Sequence, residues 1–245
     1  MFKKSLKLSA MILTLAFAAN ANAALISTPT QSAFNDVNND NVLTSADYLN
    51  PNFDYTLSVD KFDERLGSLV SVNISLNGFM EGTLRFENKS QNATSRVRGS
   101  VSSFLELFTI GGISLVNVLP EFETGSISLG VFDGANDFSG TSGATVETAP
   151  NPITATESVT LTDSSLLSLF VGAGQIDLNV FALSGGGTSN FGGDIDTSNS
   201  VRSAASIDIN YVYDNTPVNV NTPATLALFG LSLAFAGFRA RSKKS

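Results

Sequence analysis

Val70-Ser71-Val72-Asn73-Ile74-Ser75-Leu76-Asn77 places an apolar side chain at every second position. A β-strand with one buried face and one wet face has this period. The same alternation returns in Leu84 and Phe86 against Arg85 and Glu87, in Ile127, Leu129 and Val131, and in Ile176, Leu178 and Val180 against Gln175, Asp177 and Asn179. It closes with Ile207, Ile209, Tyr211 and Tyr213 against Asp208, Asn210 and Val212. Pairs such as Asn77-Gly78 and Asp133-Gly134 are expected to supply the turns between strands. One-sided strands need a facing sheet, so the expected fold is all-β, an antiparallel β-sandwich of about eight to ten strands. The acidic pairs Glu121/Glu123 and Asp194/Asp196 read as loop residues. Ser184 to Gly193, with five glycines, reads as a mobile loop. One helical turn is expected, capped by Asp163 or Ser164, carrying Leu166, Leu167, Leu169 and Phe170, and stopped by Gly172 and Gly174.

The two ends of the chain differ from this body. Lys3, Lys4 and Lys7 precede the apolar run Leu8 to Ala19, and Ala21-Asn22-Ala23 forms a small-x-small cleavage site. That order is the pattern of a secretory signal peptide over residues 1–23, with a mature chain starting at Ala24. At the other end Ala224 to Phe238 is apolar except for Thr225 and Ser232, and Arg239, Arg241, Lys243 and Lys244 follow it. Such a segment has no amphipathic face and suits lipid. As a helix it reaches about 22 Å against a hydrocarbon core of roughly 30 Å, a short span. Ala224, Leu226, Leu228, Phe229, Leu231, Leu233, Phe235 and Phe238 would form this anchor. The trailing cations would stay cytoplasmic and leave the body on the far side of the membrane.

Removing residues 1–23 and 224–245 leaves seven Lys and Arg against all 22 Asp and Glu, so the body carries a net charge of −15. A surface this acidic repels nucleic acid and anionic lipid, and it favours solubility. The chain has no His and no Cys. It therefore lacks the commonest general base, the thiol nucleophile and any disulfide, and the body must rest on its core alone.

The run from Pro223 through Leu231, with its Leu/Ala/Gly/Phe-rich span and terminal Arg/Lys cluster, resembles the PEP-CTERM sorting signal of bacteria with two membranes. The resemblance implies recognition by an exosortase, a membrane-embedded protease. Asn221-Thr222-Pro223 stands where the family has Pro-Glu-Pro, which puts cleavage in doubt more than insertion. A second resemblance rests on Phe62-Asp63-Glu64-Arg65-Leu66-Gly67-Ser68-Leu69, on Leu169-Phe170-Val171-Gly172-Ala173-Gly174, and on the closing Tyr211-Val212-Tyr213. These motifs are similar to the choice-of-anchor E domain and extend over residues 52–214. That family joins a β domain to various carboxyl-terminal anchors and implies no catalytic residue. Within it Phe62 and Leu66 would plug one end of the sandwich, and Gly67 would permit a turn.

Together these readings divide the chain into a signal peptide (1–23), a leading segment (24–51), the β body (52–214), a linker with the sorting motif (215–223), a transmembrane helix (224–238) and a basic tail (239–245). The leading segment holds one chemical motif. Asp36, Asn38, Asp40 and Asp47 occupy positions one, three, five and twelve of a loop, with the Val42 carbonyl at seven. An EF-hand-type loop uses this spacing to wrap one calcium ion. The string resembles the dockerin version, although Asn41 replaces the sharp-turn Gly, only one copy is present and Pro51 would interrupt an exiting helix. The other reading is an Asx-rich turn that closes on its own backbone without metal.

The function expected is that of a structural or adhesive protein, exported across the inner membrane, held there by the carboxyl-terminal helix, and then displayed at the cell surface or in an exopolysaccharide matrix. The alternative is a calcium-dependent carbohydrate- or ligand-binding module, for which the absence of Trp leaves few stacking platforms. A third reading, a glycosidase using Glu121 and Glu123 or Asp194 and Asp196, has only solvated carboxylates to rest on.

Overall fold

A computed structural model describes residues 24–50 and 52–215. The signal peptide, Pro51, the Asn221-Thr222-Pro223 motif, the apolar segment and the basic tail lie outside the described residues. Among the described residues no helix is long and apolar enough to cross a membrane.

The described chain is mostly β, and its strands pair antiparallel. The long alternating stretch forms β4 (Ser68–Asn88), which pairs along its whole length with the last strand, β12 (Ile195–Asp214). β10 (Ile153–Leu161) and β9 (Gly143–Glu147) line the other edge of β4. β1 (Leu25–Ser27) and β2 (Gln31–Phe34) line the other edge of β12, so the leading segment joins this sheet. The second sheet is built on β5 (Ser95–Thr109) and β11 (Gln175–Phe191). β6 (Ser114–Val118), β7 (Glu121–Glu123) and β8 (Ile127–Leu129) flank β5, and β3 (Phe53–Asp60) flanks β11. Among the described residues twelve strands form two six-stranded sheets, against an expectation of about eight to ten strands.

The core between the sheets draws on both. Val72, Ile74 and Leu76 of β4, Ile207 and Ile209 of β12, Leu105 and Leu107 of β5, and Leu178 of β11 are all fully buried in one cluster. Met80, Leu84, Phe86, Val97, Val101, Leu129 and Val201 form a second cluster. Between the two, the inward positions of the long strands are Gly78, Ser103, Ser184 and Ser203. The three hydroxyls close a triangle across the sheets, with Ser103 Oγ 2.6 Å from Ser203 Oγ and 2.8 Å from Ser184 Oγ, and Ser184 3.0 Å from Ser203. A hydroxyl both donates and accepts, so the triangle satisfies buried polar atoms without water.

Several expectations are corrected. Asn77-Gly78 lies inside β4 and makes no turn. Gly78 is there because the sheets approach closely: a Cβ would stand 2.9 Å from Val118 Cγ1 and 3.0 Å from Leu105 Cδ1. Val70 faces outward, 38% exposed, because an irregularity in register opposite Val212/Tyr213 shifts the alternation and buries Ser71 instead. Ser184–Phe191 continues β11 as strand, held by its ladder to β5. Only Gly192 and Gly193, at φ 82° and 73°, turn the chain over to the other sheet. Asp133-Gly134 does lie in a loop, and the helical turn forms as α1 (Ser164–Leu167) with a 3-10 continuation, Ser168–Phe170. Asp163 caps it by accepting from the backbone N–H groups of Ser165 and Leu166.

Both chain exits meet at one end of the sheets, where Asp214 pairs with Leu25 on one side and Ser68 on the other. Gly67 belongs to this end, since a Cβ there would fall 2.1 Å from the Asp214 carbonyl oxygen. Phe62 is buried at this end as expected, but Leu66 is 48% exposed and plugs nothing. Leu66 sits in a 3-10 turn, Glu64–Leu66, that passes outside the core. The opposite end carries two side-by-side crossings between sheets, residues 89–94 and 192–194, joined by the Lys89 N–H donating to the Asp194 carbonyl at 2.7 Å.

Candidate metal centre and the polar far end

The Asp36–Asp47 loop hangs from the edge of β12. Asn35 anchors its start, donating from Nδ2 to the Asp47 carbonyl at 2.6 Å and accepting from the Ala205 N–H at 2.6 Å. Leu49 anchors its finish through a pair of backbone bonds with Ser203. Within the loop Asp36 accepts from the N–H groups of Asp40 and Asn41, Asn38 Oδ1 accepts from Asp40, and Asp40 Oδ1 accepts from Val42. Asn39 and Asn41 adopt φ of 58° and 59°. Asn tolerates this left-handed region better than most residues, which explains how Asn41 serves where a Gly was expected.

Asp47 closes the loop from inside. It is fully buried, and its Oδ1 accepts from the N–H groups of Val37 and Asn38 while Oδ2 accepts from the Thr44 N–H and Oγ1. Burial pushes its pKa up, but the donors from Thr44, Val37 and Asn38 outweigh burial and hold it below the usual carboxylate value. Ser45–Asp47 forms a 3-10 turn with a capping box in place of a full exiting helix.

The donor set suits calcium, being oxygen only. The gathering is incomplete: among the described residues no three acidic side chains are grouped closely enough to hold a metal ion. Asp36, Asn38 and Asp40 accept from backbone N–H groups within the loop, and Asp47 is taken up with backbone and hydroxyl donors. Val42, whose carbonyl was the expected ligand, has an exposed side chain.

Next to the loop, Glu81 is nearly buried on β4, where it accepts from Arg202 at 2.7 Å and from Ser45 Oγ at 2.6 Å. Its charge adds to burial in pushing the neighbouring Tyr48 phenol up to about 12.

The far end holds a residue that alternation misreads. Glu87 occupies a wet-face position of β4 yet is fully buried, because the chain from Val131 to Ser142 folds over that face. Its Oε2 accepts from the Phe138 N–H at 2.8 Å, and Oε1 has no hydrogen-bond partner among the described residues. Gly143 makes room for this cover, since a Cβ there would fall 2.1 Å from the Ser139 nitrogen. Nothing local in the sequence marks Glu87, because the cover comes from more than forty residues away.

Glu121, Glu123 and Asp196 are strand residues, contrary to the loop reading, while Asp194 lies in the 192–194 crossing as that reading has it. Glu121 and Glu123 lie exposed on β7 on either side of Phe122. Asp196 lies in β12, where Asn136 Nδ2 at 3.2 Å and Lys89 Nζ at 3.2 Å hold its pKa down.

No family model and no curated protein matches this chain. Among solved structures, the structure of infectious bursal disease virus Gx strain is 11% identical over 79% of this chain and 38% of that one, with a TM-score of 0.19. The VP2 subviral particle of the same virus is 9% identical over 86% and 40%, with a TM-score of 0.20. This chain thus spans about 40% of the length of those proteins.

Proposed function

We propose that this protein is an exported, transiently membrane-anchored β-sandwich of the choice-of-anchor E type, serving as a structural or adhesive component at the cell surface or in an exopolysaccharide matrix. An exosortase-like protease reads its carboxyl-terminal signal, and its cofactor requirement is at most one calcium ion. The observation that carries the reading is the placement of the two chain exits side by side at Leu25 and Asp214. From there β4 and β12 run to the opposite end of the sheets, roughly 65 Å away at about 3.3 Å per residue. The segment after Asn215 therefore leaves the body from one end of its long strands. Cell fractionation with intact-mass measurement tests this. The expected product is outside the cytoplasm and lacks residues 1–23, and an exosortase-processed form also lacks the apolar segment. Full-length chain free in the cytoplasm would overturn the reading.

A second reading, calcium-dependent ligand binding, is favoured by the left-handed Asn39 and Asn41 and the oxygen-only loop. Calcium added to the EDTA-treated full chain in detergent is then expected to raise its melting temperature. A hundredfold excess over Kd corresponds to about 2.7 kcal/mol. The double variant Asp36→Ala/Asp40→Ala should lose the shift. Identical melting in EDTA and in millimolar calcium would sink this reading.

A further inference from the structure

The far half of the molecule leaves one sheet edge open. Among the described residues β3 covers β11 only from Gln175 to Ala182, so Leu183–Phe191 pairs there with β5 alone and its second row of backbone groups has no strand beside it. Among the described residues the same side of the other sheet is open too, because β2, Asn35 and Leu49 cover β12 only down to Ser203 and leave Ile195–Arg202 paired with β4 alone.

Exposed edges template pairing, and proteins ordinarily guard them with charge, proline or bulges. Some other outer strands carry charge, Asp54 and Asp60 on β3, Glu123 on β7 and Glu157 on β10, whereas the short strands β1, β2, β6 and β8 carry none. Leu183–Phe191 is thus the longest uncharged edge among the described residues rather than the sole one. Leu183–Phe191 carries no charge, no proline and no shift of register. On a body of net charge −15, an uncharged edge is where two copies approach with least repulsion.

We propose that this edge is a homotypic interface in which β11 of one copy pairs antiparallel with β11 of a second, about a two-fold axis at Gly187. The register follows from the side chains. Gly187 is the midpoint of the open stretch, and a two-fold there sets Leu183 of each copy opposite Phe191 of the other. These two are 51% and 70% exposed, and Phe191 is the most exposed large hydrophobic side chain among the described residues. Pairing gives each an apolar cross-strand neighbour on the same face. The sheet stacked on β11 is compatible: Asn199, next to the middle of the Ile195–Arg202 stretch, lies beside Gly186, one residue from the axis, with its Nδ2 2.8 Å from where a Gly186 Cβ would stand. An axis through that point brings Asp196 opposite Arg202 of the second copy, a pair of unlike charge. The interface is isologous and leaves both sheets continuous across it. It does not depend on where the protein is exported.

The chain has no cysteine, so single-cysteine variants report the register directly. Gly187 tolerates a side chain, its nearest neighbour to an added Cβ being Ser100 Oγ at 3.6 Å. In the full chain in detergent, mild oxidation of Gly187→Cys is expected to yield disulfide-linked dimer at least tenfold faster than Thr154→Cys on exposed β10. A mixture of Gly185→Cys and Ser189→Cys is expected to cross-link likewise. Gly187→Glu should sediment as monomer at concentrations where the parent chain is dimeric, and mixing it with Gly187→Lys should restore the dimer. Cross-linking of Gly187→Cys no faster than Thr154→Cys, or an undiminished dimer in Gly187→Glu, would overturn the proposal.

Discussion

Phe62→Ala is expected to lower the unfolding free energy by about 3–5 kcal/mol, the range for deleting a large aromatic from a packed core. Phe62 is 1% exposed, with its ring centroid 5.9 Å from that of Tyr211 and 5.3 Å from that of Tyr213. Its backbone is pinned as well, its N–H donating to the Phe170 carbonyl at 2.8 Å and its carbonyl accepting from Gly172 at 3.1 Å. Those bonds tie the crossover after β3 to the helical turn before β11, so the neighbours cannot collapse into the space a missing ring would leave. Against a total stability of about 5–15 kcal/mol the loss is large. Leu66→Ala, four residues on and half exposed, should stay within about 0.5 kcal/mol of the parent. Urea unfolding of the full chain in detergent measures both. Equal losses at the two positions would show that Leu66 also plugs the core, which the structure denies.

Asp47→Ala should cost about 2–4 kcal/mol, because it orphans the N–H groups of Val37, Asn38 and Thr44 and the Thr44 hydroxyl. Asp47→Asn should fail nearly as badly, since its amide would turn an NH2 toward one set of donors. The effect has a pH signature. The folded pKa of Asp47 lies below its ordinary value of 3.8. Its contribution is therefore complete above the unfolded-state pKa of about 4 and is lost as pH falls through the folded value. Unfolding in EDTA at pH 7 and at pH 2–3 should show parent and variant far apart at neutral pH and converging in acid. A gap that appears only when calcium is present would mean that Asp47 acts as a ligand. A gap that persists in EDTA assigns it to the backbone.

The strand content was legible because alternation is local: Ile74, Leu76, Ile176, Leu178, Ile207 and Ile209 each face the core as their neighbours predict. The same rule failed where a distant segment intervened. Glu87 is wet by alternation and buried by the 131–142 cover. Ser184–Phe191 reads as loop by its glycines and is strand because β5 lies beside it. The Asx loop was visible in its spacing and its turn geometry. Asp47 was legible as the closing residue, but the donors that occupy its oxygens were not, because they depend on how Asn35 and Leu49 dock on β12.

What the sequence alone determined is the alternation that makes antiparallel strands, the strongly acidic body between two basic ends, and the oxygen-rich loop. These are properties of neighbouring residues, and local sterics and charge express them directly. Which strands pair, which polar groups are buried and which edge stays open was decided only by the tertiary structure. Each of those outcomes depends on segments far apart in sequence, and a ladder's register or an uncovered edge exists only once both partners are in place.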